Sequence, residues 1–474
     1  MSNKRQVYLL DPQKLPPETI AVTFAKTSRS PESFREIAAE LTDTSSAEFN
    51  EKWVVGYGHS SVAEHAVLHI ALENISRLAV ETLESNRLAS YTEKSTRYQT
   101  WSDDAFYTPQ ELQGHVLLDP YTKCCQLLFS TYRQCLQELT PYLSRSMQPG
   151  QGETQAQFDR RVRTMVIDVC RFLLPASSLA NVGMTINARA LEHAIGKLLS
   201  QSLEETQQIG AEVKRAAGQS VPTLLKYAHE IPYLQTVCFK FSQVHVPGLE
   251  NDSEWCRLAH VDPQPVARVL AAALYREKHI TYAQAHEWVE KASTEQKKVL
   301  LNCLLETPDP HTIPSRELES IGFTFDLLID QGAYFEIKRH RMMTQTPQHL
   351  TADLGYAVPR AMVDAGLLEP YQAAMEQARQ TYTKIAEFNP AVASYIVPNG
   401  YNRRVLLNVN LRSLMHFIRL RSAPNAHFSV RRAAQRMAEE VCARVPELGT
   451  FPGKNSLESA GLIEETYFHS TCQR

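Results

Sequence analysis

The sequence predicts an α+β fold made of two related units written one after the other in a single chain. Two observations carry that expectation. The first is internal repetition: N-x-R-[AS]-L-x-H occurs in "INARALEH" from Ile186 and again in "VNLRSLMH" from Val409. Three further landmarks recur upstream of each copy and in the same order. The apolar, proline-containing "CRFLLPASS" matches "SYIVPNGYN", "ESNRLASYTEK" matches "IKRHRMMTQTP", and "GHSSVAEH" matches "PHTIPSRE". Chance matches do not keep their order, so the pattern reads as a tandem duplication. The second observation is mixed periodicity, with strand-like alternation beside helical spacing in both halves.

The first unit is assigned to residues 1–245 and the second to 246–474, expected to form a pseudo-dimer. Their junction lies in "VHVPGLENDSEWCRLAHVD", which is rich in Pro, Gly, Asn and Asp. The landmarks are further apart in the first half. The extra stretch is placed within 101–160, where "SMQPGQGETQAQ" reads as a polar loop. Taken in order, "HAVLHIAL" is compatible with a strand, and "ISRLAVETLESNRL" has helical spacing at Ile75, Leu78, Ala79 and Leu83. "PYLSRS" and "QAQFDRRVRTMVIDVCRFLLP" read as helices. In the second half "FTF" alternates as a strand does. "PYQAAMEQARQTYTKIAEF", "RSLMHFIRLRSA" and "HFSVRRAAQRMAEEVCARV" read as helices, so each unit is a mixed sheet with long helices.

The 474 residues carry 49 Lys+Arg against 52 Asp+Glu, a net charge of −3. That balance argues against nucleic-acid or membrane binding through bulk charge, while leaving room for a local basic pocket. Nine cysteines, with no C-x-x-C, fit reduced thiols. "MSNKRQVYLLDPQKLPPE" has no signal-peptide apolar region, and no apolar run is long enough to span a bilayer. A cytoplasmic location is expected.

Several clusters carry candidate chemistry. Arg339-His340-Arg341 follows an apolar run; at a helix end these side chains converge on an anion, and otherwise they form a solvated basic turn. Its first-half counterpart keeps only Arg87, after Ser85-Asn86, but continues into Ser90, Glu93, Ser95, Arg97 and Tyr98. Hydroxyls, backbone N–H groups and an arginine in one turn suit a phosphate. The second half has "TQTPQHLTA" there, with no arginine, so each half lacks what the other keeps. His59, Glu64, His65 and His69 match no strong zinc spacing, and no metal is expected. In "NVNLRSLMHFIRLRS", Asn410, Arg412 and His416 stand beside an apolar stripe of Leu414, Phe417 and Leu420.

Jointly and in order, "GHSSVAEH", "NRLASYTEKSTRY", "RFLLP…NARALEH", "KRHRMM" and "NLRSLMHFIRLRS" resemble the flavin-dependent thymidylate synthase family, as two family-like units covering nearly the whole chain. The family is a homotetramer whose FAD and dUMP sites are shared between subunits. The resemblance implies FAD as cofactor, with NADPH and methylenetetrahydrofolate as co-substrates. It implies that Arg339, His340 and Arg341 bind flavin, with His59, Ser61, Asn410, Arg412 and His416 as further candidates. Asn187, Arg189 and His193 are their first-half equivalents, and Glu93 matches a position that touches both ligands. The dUMP loop maps to Glu93, Lys94, Ser95, Thr96 and Arg97. A further dUMP arginine maps to Arg171, and Glu336 and Arg339 stand on the same substrate side. The arginine that ionises uracil N3 maps to Arg421, the candidate catalytic residue.

Leu198 stands at the first-half place of Arg421, and Ser394 near the second-half place of Arg171. One composite site per chain is therefore implied, and a homodimer of tandem chains with two active sites. The departures from the family pattern are Glu336 for a usual Gln, Thr344 for Ser, His416 for Asn, and "LRSAPNAHF". They keep two alternatives open: another pyrimidine nucleotide as substrate, or a nucleotide- or flavin-binding paralogue without turnover.

Overall fold

A computed structural model describes residues 6–28, 30–52, 60–246, 254–306, 309 and 312–473. The chain forms two compact units that are interleaved in sequence. One holds Met1–Lys94, Phe106–His115 and Ser177–Gly248; the other holds Ser95–Ala105, Val116–Ala176 and Leu249–Arg474. Repeat boundary and compact-unit boundary therefore differ: 95–105 and 116–176 belong to the first repeat but pack in the second unit.

In the first unit, β1 (Val67–Ser76), β2 (Ala89–Glu93) and β3 (Leu179–Asn187) form an antiparallel sheet in the order β1-β3-β2. Alternate residues of β3, namely Ala180, Val182, Met184 and Ile186, are buried, as a strand with one covered face requires. The covering layer comes from the helices Arg77–Leu83, Ala188–Leu199 and Glu204–Ala217, through Val80, Leu83, Leu191, Ile195 and Ile209. Each large apolar side chain so buried contributes about 1.5–3 kcal/mol. The helical spacing expected from Ile75 onward begins only at Arg77. Ser76 still pairs in β1, and its hydroxyl accepts from the Ala79 N–H (3.0 Å), which sets the helix start.

In the second unit, β4 (Cys256–Val261), β5 (Gly322–Asp330), β6 (Thr344–Pro347) and β8 (Asn402–Asn410) form the sheet β4-β5-β8-β6; β7 (Tyr356–Pro359) and β9 (Phe468–Gln473) form a separate pair. Its core is built from Phe323, Phe325 and Leu327 of β5, Val405 and Leu407 of β8, and Leu414, Phe417 and Ile418 of the helix Leu411–Arg421. A second layer packs the helix Leu118–Ser146 of the first repeat on Leu368–Phe388 of the second.

The extra stretch of the first half is visible here. Residues 147–154 are a loop, and the 16-residue helix Gln155–Cys170 stands where the second repeat has only the four-residue Pro390–Ala393. The insertion thus runs past the expected 160. The capping box of Thr154 and Gln157 is what fixes the longer helix start.

The two sheets share one register. Ser90 faces Thr185 and Glu93 faces Val182; at the matching places Thr344 faces Asn408 and Pro347 faces Val405. Val67 faces Asn187 as Gly322 faces Asn410. The first unit carries one extra residue in its edge strand, absorbed by a bulge between Leu72 and Ile75. Asn74 takes the positive φ (57°) that the bulge needs, and its N–H donates to the Asn181 side chain (3.0 Å).

Equivalent segments of the two repeats also meet inside the second unit. Pro175 pairs with Pro398; the Asn399 N–H donates to the Leu174 carbonyl and the Ala176 N–H to the Val397 carbonyl, each at 2.9 Å. Pro175 thus faces its own repeat equivalent, and the residues on either side bond reciprocally, the geometry of a local two-fold. All nine cysteines are free thiols, and among the described residues no helix is long and apolar enough to cross a membrane.

Candidate functional site

The helix Gln331–Ile337 grows directly from β5, with the Asp330 carboxylate accepting from the Ala333 N–H (2.8 Å). Its last turn carries Glu336, and the chain then turns through Arg339 and His340, the His340 N–H donating to the Ile337 carbonyl (2.9 Å). The Arg-His-Arg segment therefore lies at a helix C-terminus, where orphan carbonyls face cations. Arg421 is the last residue of the helix Leu411–Arg421, and Arg171 follows the helix Gln155–Cys170. Thr96 and Arg97 sit in the turn after Ser95.

These elements converge on one carboxylate. Arg421 Nη1 donates to Glu336 Oε2 at 2.7 Å, and Arg171 Nη1 lies 3.4 Å from Glu336 Oε1. Burial works to raise the Glu336 carboxyl, but Arg171, Arg421, Arg339 and Arg97 together hold it down at about 2. Arg421 Nε donates to His340 Nε2 (2.9 Å), so His340 presents a lone pair there and carries its proton on Nδ1. Burial, then Arg421 and His416, push His340 down to about 3, which keeps it neutral. Its ring meets Phe417 edge-on (4.9 Å between centroids) and His416 at 5.9 Å. Burial also lowers His416.

Arg97 is differently placed. Its Nε and Nη2 each donate to an Asp168 oxygen at 2.7 Å, and its Nη1 donates to the Asn425 carbonyl at 3.0 Å. That fork on a carboxylate is the strong, bidentate form of the pair. Ser95 accepts from the Arg97 N–H (3.2 Å). His427 ties the same corner together: its Nε2 meets the Asp168 carbonyl (3.0 Å), and burial drives its ionisation well below the ordinary range. Sequence reasoning missed Asp168, His427 and Ser429, which pairs its hydroxyl with Asp330. The available signal was local: Asp168 lies one helical turn before Arg171, and Ser429 opens a helix.

The structure thus brings together Thr96, Arg97, Arg171, Glu336, Arg339, His340, His416 and Arg421 within one compact unit. Asn410 caps its helix by accepting from the Ser413 N–H (2.9 Å); Arg412 donates to the Pro314 carbonyl (2.8 Å) and pairs with Glu319. Asn187 and Arg189 repeat this in the first unit, capping at Ala190 (2.9 Å) and pairing with Glu64. The N-x-R motif therefore has a structural task in both units: it starts a helix and ties it to the preceding 3₁₀ turn, Ser60–His65 or Arg316–Ser320. Ser61 is exposed on the first of those turns, and His193 lies on the helix Ala188–Leu199, its ionisation lowered by burial. Glu93 ends β2 with its carboxylate on Arg77 (2.7 Å), both side chains almost wholly buried. The Lys94 N–H donates to the Asn181 carbonyl (3.0 Å). Ser61, Glu93, Lys94, Asn187 and Arg189 all belong to the first unit. Arg341 follows His340 in the second, and His59 lies outside the described residues.

Chemically, the cluster sets four guanidinium groups against Asp168 and Glu336 and adds a neutral imidazole. It suits an anionic ligand with a polar planar portion, and the arginine and histidine donors fit the phosphates of a dinucleotide cofactor as well.

Comparison with known proteins gives three findings. The family model described as thymidylate synthase complementing protein (Thy1) matches residues 10–223 and 258–447. A UPF0159 protein of Chlamydia muridarum is 30% identical over 435 residues, covering 87% of this chain and 82% of that protein; one of Thermoplasma acidophilum is 26% identical over 448 residues, covering 85% and 87%. A flavin-dependent thymidylate synthase of Thermococcus onnurineus is 27% identical over 191 residues, 40% of this chain and 69% of that protein. Among solved structures, the flavin dependent thymidylate synthase ThyX of Helicobacter pylori, complexed with FAD and dUMP, aligns with 40% of this chain and 95% of that chain at 16% identity and a TM-score of 0.30.

Proposed function

We propose that this chain, which belongs to the thymidylate synthase complementing protein family, methylates dUMP at C5 to dTMP. Methylenetetrahydrofolate is the carbon donor, FAD the cofactor and NADPH the reductant. The observation that carries the reading is the convergence of Thr96, Arg97 and Arg171 from one repeat with Glu336, His340 and Arg421 from the other.

Arg171, with Thr96 beside it and Ser95 next in that turn, seats the nucleotide 5′-phosphate, and Arg97 holds that corner rigid through Asp168. Arg421 faces the pyrimidine and stabilises charge that develops on N3 and the ring as C5 attacks the incoming carbon. Neutral His340 accepts from Arg421 and so fixes the plane of its guanidinium. Arg339, His340, Arg341 and His416 would hold the flavin, with Asn410 and Arg412 fixing the helix that carries His416. When bound, the flavin supplies the electrons, drawn from NADPH, that make the transferred carbon a methyl group. A homodimer of tandem chains would hold two complete sites, one per chain.

The test is purification with FAD, a flavin absorbance spectrum, and release of tritium from C5-labelled dUMP with NADPH and methylenetetrahydrofolate. Bound flavin near one per chain and tritium release are expected. No flavin at saturating FAD overturns the enzyme reading, and a ratio near two overturns the single composite site. Glu336, an acid where the family carries an amide, favours one second reading, another pyrimidine nucleotide. Tritium release from a different C5-labelled pyrimidine nucleotide, with none from dUMP, would select it.

A further inference from the structure

Arg171 and Arg97 lie in the same cluster but are satisfied very differently. Arg97 makes three close contacts, two of them at 2.7 Å to one carboxylate. Arg171 is 3% exposed, yet its guanidinium contacts among the described residues are Gly332 O at 3.3 Å, Glu336 Oε1 at 3.4 Å and Thr96 Oγ1 at 3.5 Å. A charge-assisted hydrogen bond to an oxyanion is normally about 2.7–2.9 Å long. A buried cation held only by long contacts is poorly compensated for its lost hydration. Glu336 is the only carboxylate within ion-pair distance of it among the described residues, Asp168 and Asp330 acting from further away, and the Glu336 carboxylate sits closer to Arg421, at 2.7 Å. At the matching place in the first unit stands the neutral Thr82.

We propose that Glu336 is an internal placeholder for the anionic group of the substrate: its carboxylate spans Arg171 and Arg421 until a phosphate takes Arg171 from it. Glu336 thereby sets how tightly the site holds a phosphate. A phosphate dianion on Arg171 would stand beside the Glu336 carboxylate, and like charges at that range repel strongly. The carboxylate must therefore withdraw toward Arg421 and Arg339. This rests on the reading of the arginine cluster as the nucleotide-phosphate seat, but not on the reaction carried out there.

The experiment is titration calorimetry of the full-length protein with inorganic phosphate, and separately with dUMP, for wild type, E336Q, E336D and R171Q. Removing the competing charge in E336Q is expected to tighten phosphate binding about tenfold or more. E336D, whose shorter carboxylate reaches Arg171 less well, is expected to fall between E336Q and wild type, and R171Q to lose phosphate binding. Phosphate bound no tighter by E336Q than by wild type overturns the proposal. Should E336Q fail to fold, E336D carries the test by the same criterion. Phosphate affinity that rises in E336Q while dUMP is never turned over would remove the synthase reading and leave this one standing; dUMP turnover with unchanged phosphate affinity would do the reverse.

Discussion

The three-stranded sheet β1-β3-β2 and its counterpart β5-β8-β6 have the same strand order and pair matching residues with matching residues. Their chemistry nevertheless has little in common. After the helix Arg77–Leu83 the chain reads Ser85-Asn86-Arg87, and after the equivalent helix Gln331–Ile337 it reads Arg339-His340-Arg341. The contrast shows that backbone register outlasts side-chain function, because a one-residue slip would turn every core side chain toward solvent. Even the supports can change places. In the first unit the Ser76 hydroxyl donates to the Glu205 carboxylate (2.6 Å); in the second the carboxylate is on the strand, as Asp330, and the hydroxyl on the helix, as Ser429. Hydroxyl and carboxylate have been exchanged across one contact.

The comparison breaks most sharply at the ends of the equivalent helices. Arg421→Ala is expected to lower kcat by about 10²–10³-fold with flavin absorbance retained, on the scale of losing one oxyanion-stabilising donor. Leu198→Ala, at the matching place and 1% exposed, is expected to cost about 2–5 kcal/mol of stability and leave the chemistry intact. Denaturant unfolding and steady-state kinetics on the pair separate the two outcomes. Next comes the exchanged contact. Asp330→Ser and Ser429→Glu should each destabilise, while the double variant, which rebuilds the first unit's arrangement, recovers about 1–3 kcal/mol as a coupling energy in a double-mutant cycle. Additive losses would show that the two contacts are not interchangeable.

A pH-dependent effect is set by His340. Its ionisation is depressed by burial and by Arg421, so below its ordinary range the unfolded chain binds a proton that the native protein refuses. Stability is then fully present above about pH 6.5 and falls as the pH drops toward 3, by up to about 1.4 kcal/mol per pH unit from this group. His340→Asn should flatten that part of the stability profile. The smallest effect concerns the bulge. Asn74→Gly should be neutral within about 0.5 kcal/mol, whereas a branched Val at the same positive φ should cost about 1–2 kcal/mol.

The duplication was legible because its landmarks carry backbone duties. Asn187 and Asn410 start helices, and Arg189 and Arg412 tie them down, so their spacing was kept. In the sequence a residue kept for capping and one kept as a ligand leave the same mark. The position of Arg-His-Arg at a helix end was legible too, from the apolar run before it. Arg97 with Asp168 was not: the partners are distant in sequence and no local rule pairs them. Nor was the packing of 116–176 with the second repeat, because long-range burial decides it, and an amphipathic helix such as Leu118–Ser146 carries no address for its partner.

The contact around Pro175 and Pro398 has a consequence for how such a chain can vary. Where two identical subunits meet on a symmetry axis, every mutation arrives in duplicate, and any residue there must tolerate its own copy as a neighbour. Joining the copies in one chain lifts that demand. Near this contact the 3₁₀ turn of one repeat holds Arg171, buried beside Glu336, while that of the other holds Ser394, whose hydroxyl donates to the Leu350 carbonyl (2.8 Å). A cation stands on one side and a hydroxyl on the other, an inequality open to two halves that can mutate separately.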